Sequence, residues 1–169
     1  MSGAILILGI DPGLQRCGWG IVRSEGSRLS HVAHGVITPS TRMSLAERLC
    51  GVMLGLDEVI AAHRPDEASV EETFVNSNAR AALALGQARG VTLAACARAQ
   101  LLVAEYSPAT IKKALVGTGA ADKTQVAFMV RRLLPAAGDV SADAADALAA
   151  ALCHAAHAGH RRQVASQNG

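Results

Sequence analysis

Apolar positions crowd the start of the chain and then change period. Residues 5–10, ILILGI, form a near-continuous apolar run, 18–23 a second, and 29–38 a third with polar positions interspersed, which predicts three strands. "DPGLQRC" joins the first to the second, and "SEGSR", with turn-forming Glu25, Gly26 and Ser27, joins the second to the third. An antiparallel meander is expected. From Ser44 the spacing becomes helical: Leu45, Leu49, Val52, Leu56, Val59 and Ile60 form one stripe behind a Ser44/Glu47 capping box. "PDEASVEET" then reads as a short strand bounded by Pro65, "SNARAALALGQARGVTLAACARA" as a second helix, and "LLVAEY" as another short buried strand. The remainder is helical, with Ser107 capping a helix that has Pro108 at its first position, Asp122 and Gln125 forming a second capping box, and Ser141 opening the last helix. This order predicts an α/β fold: a mixed five-stranded sheet, three antiparallel strands then two parallel ones, flanked by helices. Residues 1–158 read as a single domain, and 159–169 as a disordered basic and polar tail.

Composition changes this picture in two places. Half the 169 residues are hydrophobic but only 2% are aromatic, so the core is built from Ala, Val, Leu and Ile, and each aromatic residue asks for a reason. No apolar run approaches the roughly 20 residues that cross a bilayer, and the first residues lack a basic leader with a cleavage site. A cytoplasmic protein with no membrane partner is expected. Cys17, Cys50, Cys96 and Cys153 are widely spaced and read as buried free thiols. "HAAHAGH", with His154, His157 and His160, offers either a metal-binding helical face or, more simply, a solvated helix end. In the second helix Ala82, Gly86, Gly90 and Ala94 recur every four residues. Such a small-residue stripe packs on the sheet or against the same helix of a second subunit.

The formal net charge is only +2, yet four of the acids stand where a structural role is hard to supply. Asp11 ends the first strand, Glu71 ends the fourth, and Asp143 and Asp146 lie three apart near the start of the last helix, hence on one face. Setting these aside leaves a distinctly basic remainder, a surface suited to a polyanion. Three of the acids have a plain alternative, Asp11 as a turn residue, Asp143 as a favourable charge at a helix start, Glu71 or its neighbour Glu72 as a solvated group, whereas Asp146, in the middle of an Ala/Leu face, is the hardest to explain as structural. If the first and fourth strands run parallel as neighbours, however, their carboxyl ends bring Asp11 and Glu71 together, and the helix start delivers the other two. Carboxylates so close repel one another unless cations neutralise them. Hard oxygen ligands select Mg²⁺ or Mn²⁺, and two such ions support in-line phosphodiester displacement.

At this point the residues match a known pattern. "ILGIDPG" with "GWGIV", "VEETFVNSNARAALALGQARG", "YSPATIKKALVGTGAADKTQV" and "DAADALAAALCHA", in this order over about residues 5–158, resemble the RuvC-type Holliday junction resolvases of bacteria. "GIDPG" alone is weak, since it also resembles the phosphate loop of actin-like ATPases; "LGQARG", the glycine loop with its lysine, and "DAADAL" are specific. The resemblance implies a ribonuclease H-like fold and a homodimer that places symmetric, divalent-metal-dependent nicks in two like-polarity strands of a four-way DNA junction. It implies 5′-phosphate and 3′-hydroxyl ends, two Mg²⁺ ions per subunit with Mn²⁺ as a substitute, and a branch-migration helicase as partner. Asp11, Glu71, Asp143 and Asp146 match the catalytic, metal-holding acids. Phe74 matches the aromatic wedge at the crossover, and Lys112 and Lys123 match basic positions near the scissile phosphate. Some relatives carry a basic residue just beyond the wedge, where this chain has Asn76 and Ser77; Arg80 either replaces that phosphate contact or is a solvated helix charge. Two rival readings follow other classes: a junction-binding architectural protein, against which the complete acidic quartet argues, and an actin-like ATPase, against which the length of the chain argues.

Overall fold

Strand pairing follows the alternation of the sequence. The computed structural model describes residues 3–72, 74 and 77–167. Strand β1 (Ile5–Asp11) pairs antiparallel with β2 (Cys17–Glu25), and β2 with β3 (Arg28–Ile37). After helix α1 (Leu45–His63), strand β4 (Glu67–Glu71) adds parallel to the free edge of β1; after α2 (Ala79–Arg98), β5 (Leu102–Tyr106) adds parallel to β4. The order β3-β2-β1-β4-β5 is the expected mixed sheet. Helices α3 (Pro108–Val116), α4 (Lys123–Leu133) and α5 (Ala142–Gln167) complete the chain, with a 3₁₀ turn at Pro135–Ala137 that the hydrophobic pattern does not announce.

The helix starts form where the capping residues stand. Ser44 with Glu47 and Asp122 with Gln125 make reciprocal capping boxes, and the Thr110 amide donates to Ser107 Oγ at 3.2 Å. Pro108 fits the first turn of α3 because its missing N–H has no partner there to lose.

Two cores result from the two faces of the sheet. Leu8, Ile10 and Ile21 pack with Val52, Leu56 and Val59 of α1 and Ala95 and Cys96 of α2. Ile7 and Val22 pack on the opposite side with Ile111, Val126, Val130 and the alanine-rich face of α5. Helix α5 lies unusually close to the strands: a Cβ at Gly9 would collide with the Ala147 carbonyl oxygen, and one at Gly18 with that of Asp143. The Ser69 hydroxyl, buried on the same face, donates to the Ala150 carbonyl at 2.8 Å. Glycine and alanine thus set the depth of α5, and with it the position of its acidic first turns.

Several expectations change. Cys17, Cys96 and Cys153 are buried, and burial pushes their thiols up to about 12, 11 and 12, but Cys50 is exposed. His154 is not at a solvated helix end: it is fully buried, its Nε2 against the Glu67 carboxylate and its Nδ1 2.9 Å from the Tyr106 hydroxyl. His157 is exposed beside Tyr106, and the His160 side chain lies outside the described ones. The backbone of α5 runs as helix to Gln167. Gly86, Gly90 and Ala94 are exposed, and a Cβ on either glycine would touch nothing, so this stripe does not pack on the sheet. Among the described residues no helix is long and apolar enough to cross a membrane.

Candidate active site

Period-two alternation decides which carboxylates face each other. Ile7, Gly9 and Asp11 of β1 point toward α5, as do Glu67, Ser69 and Glu71 of β4. The parallel register sets Ile10 beside Val70, so the next residues, Asp11 and Glu71, end neighbouring strands side by side. Asp146, one turn into α5, completes a cluster in which one oxygen of each of Asp11, Glu71 and Asp146 lies within 4.8 Å of the others. Among the described residues this is the group that could hold a metal ion. Glu72, on the opposite parity, pairs instead with Arg89 of α2 at 3.2 Å.

Burial, and then the charges of Glu71, Asp146 and Asp143, push the Asp11 carboxyl from 3.8 up to about 8. A carboxyl so shifted is one whose ionised form lacks a compensating cation. Lys123 offers partial relief: its Nζ lies 3.3 Å from Asp146 Oδ2, and that carboxylate raises the pKa of the lysine. Asp122 fixes this lysine at the first position of α4 through its cap bonds.

The three acids open into a cavity of about 270 Å³. Lys112 and Lys123 line it with them, over an apolar base of Pro108, Ile111, Val126 and Ala149. Carboxylate ligands and two ammonium groups lining one cavity suit a metal ion and a phosphodiester together.

Not every expected residue joins the cluster. Asp143 is turned away: Arg16 Nε donates to its Oδ2 at 2.6 Å, and it lines a neighbouring cleft with Gly13, Leu14 and Gln15. The physical reason is the nearby guanidinium, which gives one carboxylate of a repelling group a cation of its own. Phe74 is 67% exposed, which excludes a core role, and Arg89 lies 6.0 Å from its ring centroid. Arg80 is exposed in the first turn of α2 and lines neither this cavity nor that cleft. Asn76 lies outside the described residues.

Arg16 and Arg89 are the groups that sequence reasoning passes over. Strand parity carries a signal for Arg89, since it sends Glu72 toward α2, where a basic partner is needed. For Arg16, in the β1–β2 connection, no periodic signal exists.

Comparison with known proteins agrees with this geometry. The family model described as crossover junction endodeoxyribonuclease RuvC matches residues 7–154. The crossover junction endodeoxyribonuclease RuvC of Caulobacter sp. (strain K31) is 62% identical over 151 residues, 89% of each chain, and that of Hyphomonas neptunium is 57% identical over 157 residues, 93% of this chain and 94% of the relative. Among solved structures, Thermus thermophilus RuvC in complex with a Holliday junction substrate superposes with a TM-score of 0.86 at 34% identity, covering 93% of this chain and 96% of that one. The yeast mitochondrial Holliday junction resolvase, 14% identical with a TM-score of 0.66 over 96% of this chain and 84% of its own, shares the fold.

Proposed function

The chain belongs to the RuvC family of crossover junction endodeoxyribonucleases, and from that premise we propose how its residues resolve a junction. It is an endonuclease that resolves Holliday junctions in recombination and repair, nicking two strands of like polarity and leaving 5′-phosphate and 3′-hydroxyl ends. The observation that carries the assignment of its site is the convergence of Asp11, Glu71 and Asp146 at the carboxyl ends of β1 and β4, in one cavity with two lysines.

The donor set fits hard divalent cations: all ligands are carboxylate oxygens, and burial first, then the neighbouring acids, raises the pKa of Asp11. Asp11, Glu71 and Asp146, joined by Asp143, would hold two Mg²⁺ ions, with Mn²⁺ as a substitute. Such ions lower the pKa of water and stabilise the departing oxygen in an in-line displacement. Lys123 bridges the two functions of the pocket, damping the charge of Asp146 while presenting an ammonium to a phosphate oxygen. Lys112, in the lining of the same cavity, orients the same phosphodiester. Phe74, exposed and backed by Arg89, inserts between unstacked bases at the crossover. Arg80 touches a more distant phosphate.

Asp11→Asn tests the assignment. On a labelled four-way junction titrated with Mg²⁺, cleavage falls below about a thousandth of the parent rate while binding in Ca²⁺ persists. Loss of binding together with cleavage would contradict it, because a metal ligand is not needed to hold the DNA.

Two symmetric nicks require two sites, so the working form is a homodimer that also meets a branch-migration helicase. The exposed row of Gly86, Gly90 and Ala94, beside Leu83 at 64% exposure, supplies an apolar face on which two α2 helices approach closely. Gly86→Leu overpacks that contact by about 1–3 kcal/mol, raising the dimer dissociation constant roughly tenfold or more in sedimentation equilibrium. An unchanged dimer would move the interface elsewhere.

A further inference from the structure

Resting on the metal-site reading above, we propose that Arg16 is a positioning residue that competes with the metal for Asp143, holding this carboxylate outside the cluster until a cation draws it in. Three observations carry this. Arg16 Nε and Asp143 Oδ2 are 2.6 Å apart, a charge-assisted hydrogen bond. Asp143 and Asp146 stand three apart on α5, hence on one face, and the charge of Asp143 still acts on Asp11. The carboxylate is therefore close to the cluster without belonging to it.

The backbone at Asp143 has no freedom to deliver it. Gly18 of β2 packs directly on the Asp143 carbonyl, and the Ala145 amide donates to the Ser141 carbonyl at 2.9 Å, which fixes the first turn of α5 against the sheet. The direction of the carboxylate is then set by its side-chain torsions alone, and the Arg16 guanidinium selects one of them. With 52% of its side chain exposed, Arg16 exchanges the carboxylate for water at little loss. Cation occupancy of Asp11, Glu71 and Asp146 supplies the competing attraction. The pair is thus a two-position device: a guanidinium neutralises Asp143 in the metal-free protein, and the metal does so afterwards.

The test is a double-mutant cycle read by Mn²⁺ calorimetry on the full chain without DNA. Arg16→Ala tightens Mn²⁺ binding roughly threefold to fivefold, and Arg16→Gln does the same, since the ion pair they remove is partly solvated. In an Asp143→Asn background both substitutions have no effect. Equal tightening in both backgrounds would show a general field of the arginine instead and would overturn the competition, as would no tightening in the parent. A second readout does not depend on affinity: on saturation with Mg²⁺ the Arg16 Nε–H resonance moves to the position of a solvated arginine, and its failure to move overturns the proposal. Asp11→Asn serves as the control for the site. If it leaves Mn²⁺ binding unchanged, the metal-site reading falls and the competition with it; if it weakens binding while Arg16→Ala does nothing, only the competition falls.

Discussion

Strand β4 and helix α5 meet twice on one face of the sheet, with opposite electrostatic results. At the amino end of β4, Glu67 meets His154, whose other nitrogen meets the Tyr106 hydroxyl. At the carboxyl end, four residues on and on the same face, Glu71 meets Asp146 and Asp11, three carboxylates within 4.8 Å. Backbone geometry is shared by the two places; only the residue types differ. The first end closes its hydrogen bonds within the chain, whereas the second concentrates like charge and so favours a cation from outside. The difference separates a structural polar network from a ligand set without reference to any relative.

The largest expected effect on folding strikes the first end. His154→Leu keeps the volume of a fully buried side chain but takes the imidazole from Glu67 and Tyr106. Removing one member of a buried polar pair costs about 3 kcal/mol, read from the midpoint of denaturant unfolding. Divalent-metal binding by the folded protein stays unchanged, because the cluster lies two helical turns away along α5. A variant as stable as the parent would mean that the network contributes little beyond packing.

Legibility in the sequence divides along the same line. Alternation and parallel pairing place Asp11 beside Glu71 before any coordinates, since both follow from period-two geometry and from strands joined by helical crossovers. Helical spacing likewise carries Asp146 to them. His154 follows Asp146 by eight residues, near two full turns, so helical spacing puts it on the same stripe as Asp146, whereas the grouping of three histidines near the chain end carries no signal of burial. Arg16 and Asp143 were not legible as a pair. One lies in an irregular connection and the other 127 positions away, and no periodicity relates a loop side chain to a helix start.

A second, smaller effect separates the two ends by pH. Asp11 has a folded-state pKa of about 8 against 3.8 for the ordinary carboxyl. Between these values the native state binds more protons than the unfolded chain, so the stability of the metal-free protein falls as pH rises through that window. From pH 6 to pH 8 the loss is about 2 kcal/mol, measured by chemical denaturation in EDTA. Asp11→Asn removes the slope, and saturating Mg²⁺ flattens it in the parent. A metal-free protein that gained stability over this range would contradict the crowding of charge at the carboxyl end.

The smallest effect refines the structural end. Tyr106→Phe deletes one hydroxyl, 2.9 Å from His154 Nδ1, and keeps the ring that packs edge-on to His154 and against His157. A single neutral hydrogen bond contributes about 1 kcal/mol, so unfolding shifts by about that amount. Combined with His154→Leu, the hydroxyl has no imidazole left to meet, and Tyr106→Phe then costs less than it does alone. The difference between the two losses measures the coupling along Glu67, His154 and Tyr106. Strict additivity would mean that the hydroxyl stabilises the fold through other contacts, and the polar network at this end would reduce to the pair between Glu67 and His154.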